Sequence, residues 1–179
     1  GDNLKLFDKF DNLIAQGDDV RKFALAFGTR IDDLVTDVAK INLPPSVAST
    51  FNESAYRTVR TNQSIPLNRV FGNEAKLKGG FATTSANATR NELALLDEWN
   101  NSMRFEAVIN VPSGQTLNIG KVGAQTSSNG SQILTGGGDK ILMPQNWNPQ
   151  NWVQQVIDKT TGQTYTFQQF SNAFPNLIN

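Results

Sequence analysis

The chemistry open to this chain is limited first by two residue types that it lacks. Its 179 residues include no Cys and no His. The absence of Cys excludes a thiolate nucleophile and a disulfide framework. The absence of His excludes Ser-His-Asp catalysis, imidazole acid–base catalysis and His-ligated metals. No metal site is expected, and any reaction must depend on the remaining polar side chains.

Two arginines are candidates for binding an anion. Arg69 lies in the middle of the short β-type run 66–71, whose other residues favour burial. A guanidinium held inside a sheet generally faces an anion, and its planar fork matches a diphosphate. Arg57 in the run 56–59 offers the same argument, and an edge-strand arginine that reaches solvent would explain either residue. Arg69 is preferred because the short spacing to residues 83–85 allows their strands to pair.

Hydroxyl-rich and glycine-rich segments are the next candidates. Thr83, Thr84 and Ser85 follow Phe81 in a β-type run, and the segment 123–138 contains three consecutive glycines at its end. Glycines permit positive φ and let the backbone approach a ligand closely. The P-loop pattern GxxxxGK[ST] is absent. Ordinary strand and loop structure explains both segments as well.

Composition narrows the classes of partner. Sixteen Lys and Arg balance sixteen Asp and Glu, while Asn and Gln together number 32. We therefore expect no stable nucleic-acid binding by counterion release, and we expect no membrane binding because no stretch approaches 18 apolar residues. The chain begins at Gly1-Asp2 without an initiator Met, as expected for part of a longer protein.

The hydrophobic pattern predicts an α+β protein that begins with short helices. Apolar stripes over 4–14, 20–27 and 31–41 have helical spacing, so residues 1–45 are predicted to be a helical segment. Residues 46–179 are predicted to form a second, mostly antiparallel β domain with one inserted helix, capped by Asn91. Strands are predicted at 56–59, 66–71, 81–85, 105–111, 116–119, 140–143, 152–157 and 164–167, with a long loop over 123–138.

The order of these segments resembles the ADP-ribosyltransferase fold. The resemblance is closer to the NAD-consuming C-terminal domains of bacterial polymorphic toxins of the Rhs and haemagglutinin type, the branch of the tuberculosis necrotizing toxin, an NAD glycohydrolase. It is carried by IPLNRVFGNEAKLKGGFATTSA (65–86), INVPSGQTLNIGKVGAQT (109–126) and LTGGGDKILMPQNW (134–147).

The resemblance implies roles for particular residues. Arg69 is expected to hold the NAD phosphates. Phe81, Thr83, Thr84 and Ser85 are expected to shape the pocket, with Thr84 and Ser85 placing the nicotinamide ribose or carboxamide. The glycine loop is expected to line the cleft through Gly137 and Gly138.

The catalytic position departs from the family pattern. Transferases carry Glu-x-Glu or Gln-x-Glu before this strand, and the glycohydrolase branch ends its loop in GGG-x-Gln. Here Lys140 stands at the Gln position, so the catalytic group is expected among Lys140, Asp139 and Gln125. The missing second Glu favours hydrolysis of NAD over transfer of ADP-ribose to a protein or RNA acceptor.

Three functions remain open at this level: an NAD glycohydrolase toxin domain, a mono-ADP-ribosyltransferase and a non-catalytic degenerate binding module. The resemblance implies NAD as substrate rather than as prosthetic group. It also implies a secreted or delivered effector that acts in the target-cell cytoplasm, with a cognate immunity protein as partner.

Overall fold

The computed structural model describes residues 28–179, so the helices predicted over 4–14 and 20–27 lie outside the described residues. The described fold is α+β, as predicted, with antiparallel sheets and short helices. Its strands are β1 (Val35–Asp37), β2 (Phe51–Thr61), β3 (Ile65–Asn73), β4 (Phe81–Ala82), β5 (Asn101–Val111), β6 (Thr116–Val122), β7 (Gln125–Thr126), β8 (Ile133–Leu134), β9 (Asp139–Leu142), β10 (Val153–Asp158) and β11 (Thr164–Tyr165). Its α-helices are α1 (Pro45–Ala48), α2 (Arg90–Leu93), α3 (Pro149–Trp152) and α4 (Phe167–Ala173), and 3-10 turns occupy Ile31–Asp33, Asp97–Trp99 and Pro175–Leu177.

A backbone bridge, between β3 and the residue that follows β4, links the two larger sheets. The first has the strand order β1-β2-β6-β9-β4 and the second β11-β10-β5-β3, while β7 and β8 form a small ribbon. Every pairing within the described residues is antiparallel. Asn68 of β3 exchanges two backbone hydrogen bonds of 2.8 and 2.9 Å with Thr83, just past β4. The predicted pairing of the Arg69 strand with residues 83–85 is confirmed by this bridge.

Alternation along β5 builds the core between the sheets. Phe105, Ala107 and Ile109 point inwards and are fully or almost fully buried. Glu106 and Val108 on the opposite face are buried too, and the Glu106 carboxylate accepts the Asn87 N–H at 2.8 Å. Strand β5 is therefore covered on both faces.

Most of the predicted strands are confirmed. Those at 56–59, 66–71, 105–111, 116–119, 140–143 and 152–157 fall on β2, β3, β5, β6, β9 and β10. The strand predicted over 81–85 is shorter, because β4 ends at Ala82 and continues only as the bridge at Thr83.

The third predicted helix, over 31–41, is wrong. A 3-10 turn at Ile31–Asp33 leads into β1, which pairs with β2 through Val35 and Thr61. Ile31, Leu34 and Val35 are buried as an apolar stripe requires, but they reach the core from a turn and an edge strand. The β-branched residues of this stretch fit a strand once β2 offers unpaired backbone groups.

The inserted helix is shorter than predicted and begins elsewhere. Thr89, and not Asn91, is the N-cap: its hydroxyl accepts the Glu92 N–H while the Glu92 carboxylate accepts the Thr89 N–H. This Thr-x-x-Glu capping box was present in the sequence. Ala94 then adopts a left-handed conformation with φ 50° and ends the helix after one turn.

The C-terminal helix was not predicted. The strand expected over 164–167 ends at Tyr165, and Thr166 caps α4 through a second capping box with Gln169. Phe170 of α4 is fully buried and packs edge-to-face on Phe71 and Phe105, with ring centroids 5.5 and 5.0 Å apart.

Replacement of Phe170 by alanine should lower the free energy of unfolding by about 3–5 kcal/mol, because it leaves a cavity among closely packed rings. Chemical denaturation monitored by tryptophan fluorescence provides the measurement. Gln168→Ala, at an exposed position of the same helix, is the control and should stay within about 0.5 kcal/mol of the wild type. A loss below about 1 kcal/mol for Phe170→Ala would contradict the packing of α4.

Candidate functional site

A cleft of about 280 Å³ lies where the two sheets meet. The β3 segment 68–70 forms one wall, while Phe81 of β4 and the 139–140 segment of β9 form the other. The end of α2 and Trp99 contribute an apolar side. Of the residues predicted for the site, the structure brings six to this cleft: Arg69, Phe81, Thr83, Gln125, Asp139 and Lys140.

The guanidinium of Arg69 is partly buried in the cleft wall and is held by backbone carbonyls. Its Nε donates to the carbonyls of Lys76 and Leu77 at 3.0 and 3.1 Å, Nη2 to Lys76 at 2.8 Å, and Nη1 to Phe81 at 2.8 Å. None of the carboxylates within residues 28–179 pairs with it, and burial lowers its pKa to about 10. Each Nη atom keeps one further N–H, since a guanidinium carries five.

Arg57, the alternative anion ligand, lies elsewhere. It forms ion pairs with Asp32 at 2.6 Å and with Asp37 at 2.7 Å, and these hydrogen bonds raise its pKa. It lines a separate groove of about 510 Å³ that shares Asp139 with the cleft. Two carboxylates therefore already occupy the guanidinium of Arg57.

Lys140 brings a second cation to the cleft. Phe81 pairs with Leu142 across β4 and β9, so Lys140 is its diagonal neighbour on the same sheet face. The ammonium lies 4.0 Å from the centroid of the Phe81 ring, a cation–π contact. Burial lowers the pKa of Lys140 from 10.5 to about 8, so the charged form still predominates at pH 7. Phe81 thus holds Arg69 through its carbonyl and Lys140 through its ring.

Asn68 is a cleft residue that the sequence analysis missed. Its side chain is 8% exposed, and its Oδ1 is shielded from solvent without any hydrogen-bond partner in the described chain. Leaving a buried acceptor unsatisfied costs roughly 1–3 kcal/mol. The signal was an asparagine inside a strand of apolar residues, where this residue type is depleted.

Asp139 and Thr84, predicted for different roles, are engaged with each other. The Thr84 hydroxyl donates to the Asp139 carboxylate, whose other oxygen pairs with the Lys121 ammonium directly opposite on β6. Thr84 is buried and does not line the cleft, and Ser85 is exposed outside it. Asp139 therefore reaches the cleft with its negative charge already paired.

The glycines at 136–138 connect α2 to β6 through backbone hydrogen bonds. Gly136 and Gly138 donate backbone hydrogen bonds of 2.9 and 3.0 Å to the carbonyls of Asn91 and Glu92, and Gly137 donates at 2.9 Å to Val122. A side chain at Gly136, whose φ is 72°, would place Cβ 2.5 Å from the Val122 carbonyl oxygen. The predicted long loop instead contains the β7–β8 ribbon. Gly137 and Gly138 are not brought to the cleft wall, whereas Gln125 of β7 is.

No group of three or more acidic side chains within residues 28–179 is arranged to hold a metal ion. No helix in that part of the chain is long and apolar enough to cross a membrane. Comparison of the chain with known protein families, curated proteins and solved structures finds no match. Function must therefore be inferred from the chemistry of the cleft.

Gly79→Ala should lower the free energy of unfolding by about 1–3 kcal/mol, as overpacking of a filled site does. The added Cβ would lie 1.8 Å from Arg69 Nη2, and the guanidinium cannot move without losing its carbonyl partners. Gly80→Ala is the matched control, since its Cβ would make only an ordinary 3.7 Å contact with Leu142. Equal stabilities of the two variants in urea titrations would contradict the tight packing around Arg69.

Lys140→Met should raise the free energy of unfolding at pH 7 by about 1–3 kcal/mol, because it removes a charge that burial disfavours. Between pH 8 and 10.5 the unfolded chain binds a proton on Lys140 that the folded chain lacks. Wild-type stability therefore rises with pH relative to the variant, and the difference shrinks. Urea titrations at pH 7 and 9.5 test this, with Lys159→Met at an exposed lysine as control. A difference that grows with pH would contradict it.

Proposed function

We propose that this domain cleaves NAD at the nicotinamide–ribose bond, as an NAD glycohydrolase. The observation that carries the proposal is the pair of partly buried cations, Arg69 and Lys140, on either side of Phe81 in one cleft. Neither has a carboxylate partner in the described chain, and a diphosphate supplies the missing negative charge.

The sequence resemblance supports the same cleft. The segments 65–86, 109–126 and 134–147 contain β3 and β4, the end of β5 with β6 and β7, and β9. These segments supply most of the lining residues of the cleft, including Arg69, Phe81 and Lys140, while the end of α2 and Trp99 come from outside them. This resemblance further supports an effector that acts in the target-cell cytoplasm and is matched by an immunity protein.

The reaction needs no His or Cys. Nicotinamide leaves as a neutral base, the ribose passes through an oxocarbenium-like state, and water adds to the anomeric carbon to give ADP-ribose and one proton. Arg69 would hold the diphosphate, with the free Nη hydrogens directed to its oxygens. Gln125 and Asp139 line the cleft and carry oxygens able to accept hydrogen bonds from ribose hydroxyls.

Lys140 helps binding and opposes cleavage. Its ammonium attracts the diphosphate but repels the positive charge that develops on the ribose. At a separation of about 4 Å and an effective dielectric near 20 this repulsion approaches ~4 kcal/mol. Such a penalty corresponds to about a thousandfold slower cleavage, so we expect slow NAD turnover by this chain.

A non-catalytic module that binds NAD or ADP-ribose is the second candidate. It is favoured by the ion pair of Asp139 with Lys121 and by Lys140 in place of an acceptor side chain. In this alternative the cleft keeps its cationic wall and lacks a group to stabilise the ribosyl cation.

Incubation with NAD, followed by chromatography of the products, tests the proposal. We expect slow, equimolar release of nicotinamide and ADP-ribose, and a gain of about 10²–10³-fold for Lys140→Gln, which restores an acceptor and removes the charge. Lys159→Gln, at an exposed lysine away from the cleft, should match the wild type.

The other outcomes separate the alternatives. Nicotinamide release with ADP-ribose attached to an added protein or RNA would indicate a transferase. Tight binding of ADP-ribose without turnover, even by Lys140→Gln, would favour the binding module. If neither NAD nor ADP-ribose binds, the proposed function is wrong.

A further inference from the structure

The side chain of Asn68 is the polar group of the cleft that the proposed function leaves without a role. It lies on β3 next to Arg69 and is 8% exposed. Its backbone N–H and carbonyl are both used in the bridge to Thr83. Its side-chain Oδ1 is shielded from solvent and has no hydrogen-bond partner in the described chain.

The other buried asparagines show that this state is specific to Asn68. Asn101, 7% exposed, donates from Nδ2 to the Val70 carbonyl at 3.2 Å and accepts the Met103 N–H at 2.9 Å. Asn118, also 7% exposed, accepts from the Thr58 hydroxyl at 2.6 Å. A strand position that only had to fill space would be served better by valine or threonine, which bring no orphaned amide.

A free carboxamide in a cleft wall has a defined complement. It presents an acceptor and a donor side by side in one plane, so it pairs with a ligand edge that carries an N–H beside an acceptor. The wall near Asn68 is apolar and aromatic, with Val70, Leu93, Leu95 and Trp99 among the lining residues. Such a surface accommodates the flat face of a heteroaromatic ring.

We propose that Asn68 is a specificity-determining residue, whose amide recognises the amide-like edge of a ring on the bound ligand. This inference rests on the proposed function, since NAD carries two such edges. One is the carboxamide of nicotinamide and the other is the N6/N7 edge of adenine. Both present an N–H donor next to an acceptor, and Asn pairs with adenine through this geometry in other settings.

Arg69 and Asn68 divide recognition between charge and shape. Arg69 binds any diphosphate irrespective of the group attached to it, because phosphate oxygens are the same in all dinucleotides. The Asn68 amide would hydrogen-bond the edge of the nicotinamide or adenine ring. A site built to hydrogen-bond an N–H discriminates strongly against a ligand that lacks it, because the buried amide is then left unpaired again.

Calorimetric titration with NAD and with two NAD analogues, each altered at one of these ring edges, tests this inference. In 3-acetylpyridine adenine dinucleotide a methyl group replaces the carboxamide NH₂. In nicotinamide hypoxanthine dinucleotide an oxo group replaces the adenine amino group, so the edge at position 6 and N7 carries two acceptors and no N–H. We expect one of the two analogues to bind the wild type about tenfold or more weakly than NAD. The analogue that loses affinity identifies which ring Asn68 contacts.

Asn68→Ala should bind NAD about tenfold more weakly and should no longer distinguish that analogue from NAD. Its melting temperature should not fall below that of the wild type, because no hydrogen bond of the free protein is removed. Asn118→Ala is the matched control: it should lower the melting temperature and leave the ligand preference unchanged. If Asn68→Ala does not fold, Asn68→Val and the analogue series on the wild type decide the question.

Two failures can be told apart. A wild type that binds NAD and both analogues equally, with no loss in Asn68→Ala or Asn68→Val, overturns the role of Asn68 and leaves the proposed function standing. A wild type that binds neither NAD nor ADP-ribose overturns both.

Discussion

The guanidinium of Arg69, on β3, donates hydrogen bonds to the backbone carbonyls of Lys76, Leu77 and Phe81. These contacts hold the chain between β3 and β4 in place and set Phe81 beside the cleft. Because carbonyl dipoles satisfy the donors without neutralising the charge, the wall remains cationic. Gly79 is required next to the guanidinium, since any side chain there would overlap with it. The geometry of the cleft therefore depends on this arginine being solvated by the backbone.

The placement of the remaining charges follows from strand pairing. Lys121 and Asp139 are directly opposite on β6 and β9, so they neutralise each other, while Lys140 points to the other face towards Phe81. The cleft consequently receives two cations and one carboxylate that is already paired. Such a balance favours binding of an anion over stabilisation of a cationic transition state.

Sequence patterns predicted the strands well because alternation and β-branched residues report burial on a sheet directly. They failed where local and tertiary preferences differ. The 31–41 stripe has helical spacing but becomes β1, since the free edge of β2 offers hydrogen bonds that an isolated segment lacks. The glycines at 136–138 signal close backbone approach, and the close neighbours are backbone carbonyls of this chain, that of Val122 at Gly136 and that of Glu92 at Gly138. A glycine in the sequence indicates that a side chain would not fit at that position, but it does not indicate which neighbouring atoms occupy the space.

The sequence by itself determined the residue types available for chemistry: no His, no Cys, an arginine within an apolar strand and an aromatic-hydroxyl strand after paired glycines. It also determined the α+β class of the described chain, because alternation and capping signals act locally. Only the tertiary structure decided that Arg57 is neutralised while Arg69 is not, that Asp139 is paired with Lys121, and that Asn68 is left without a partner. Charge compensation and hydrogen-bond satisfaction depend on neighbours distant in sequence, which no local pattern encodes.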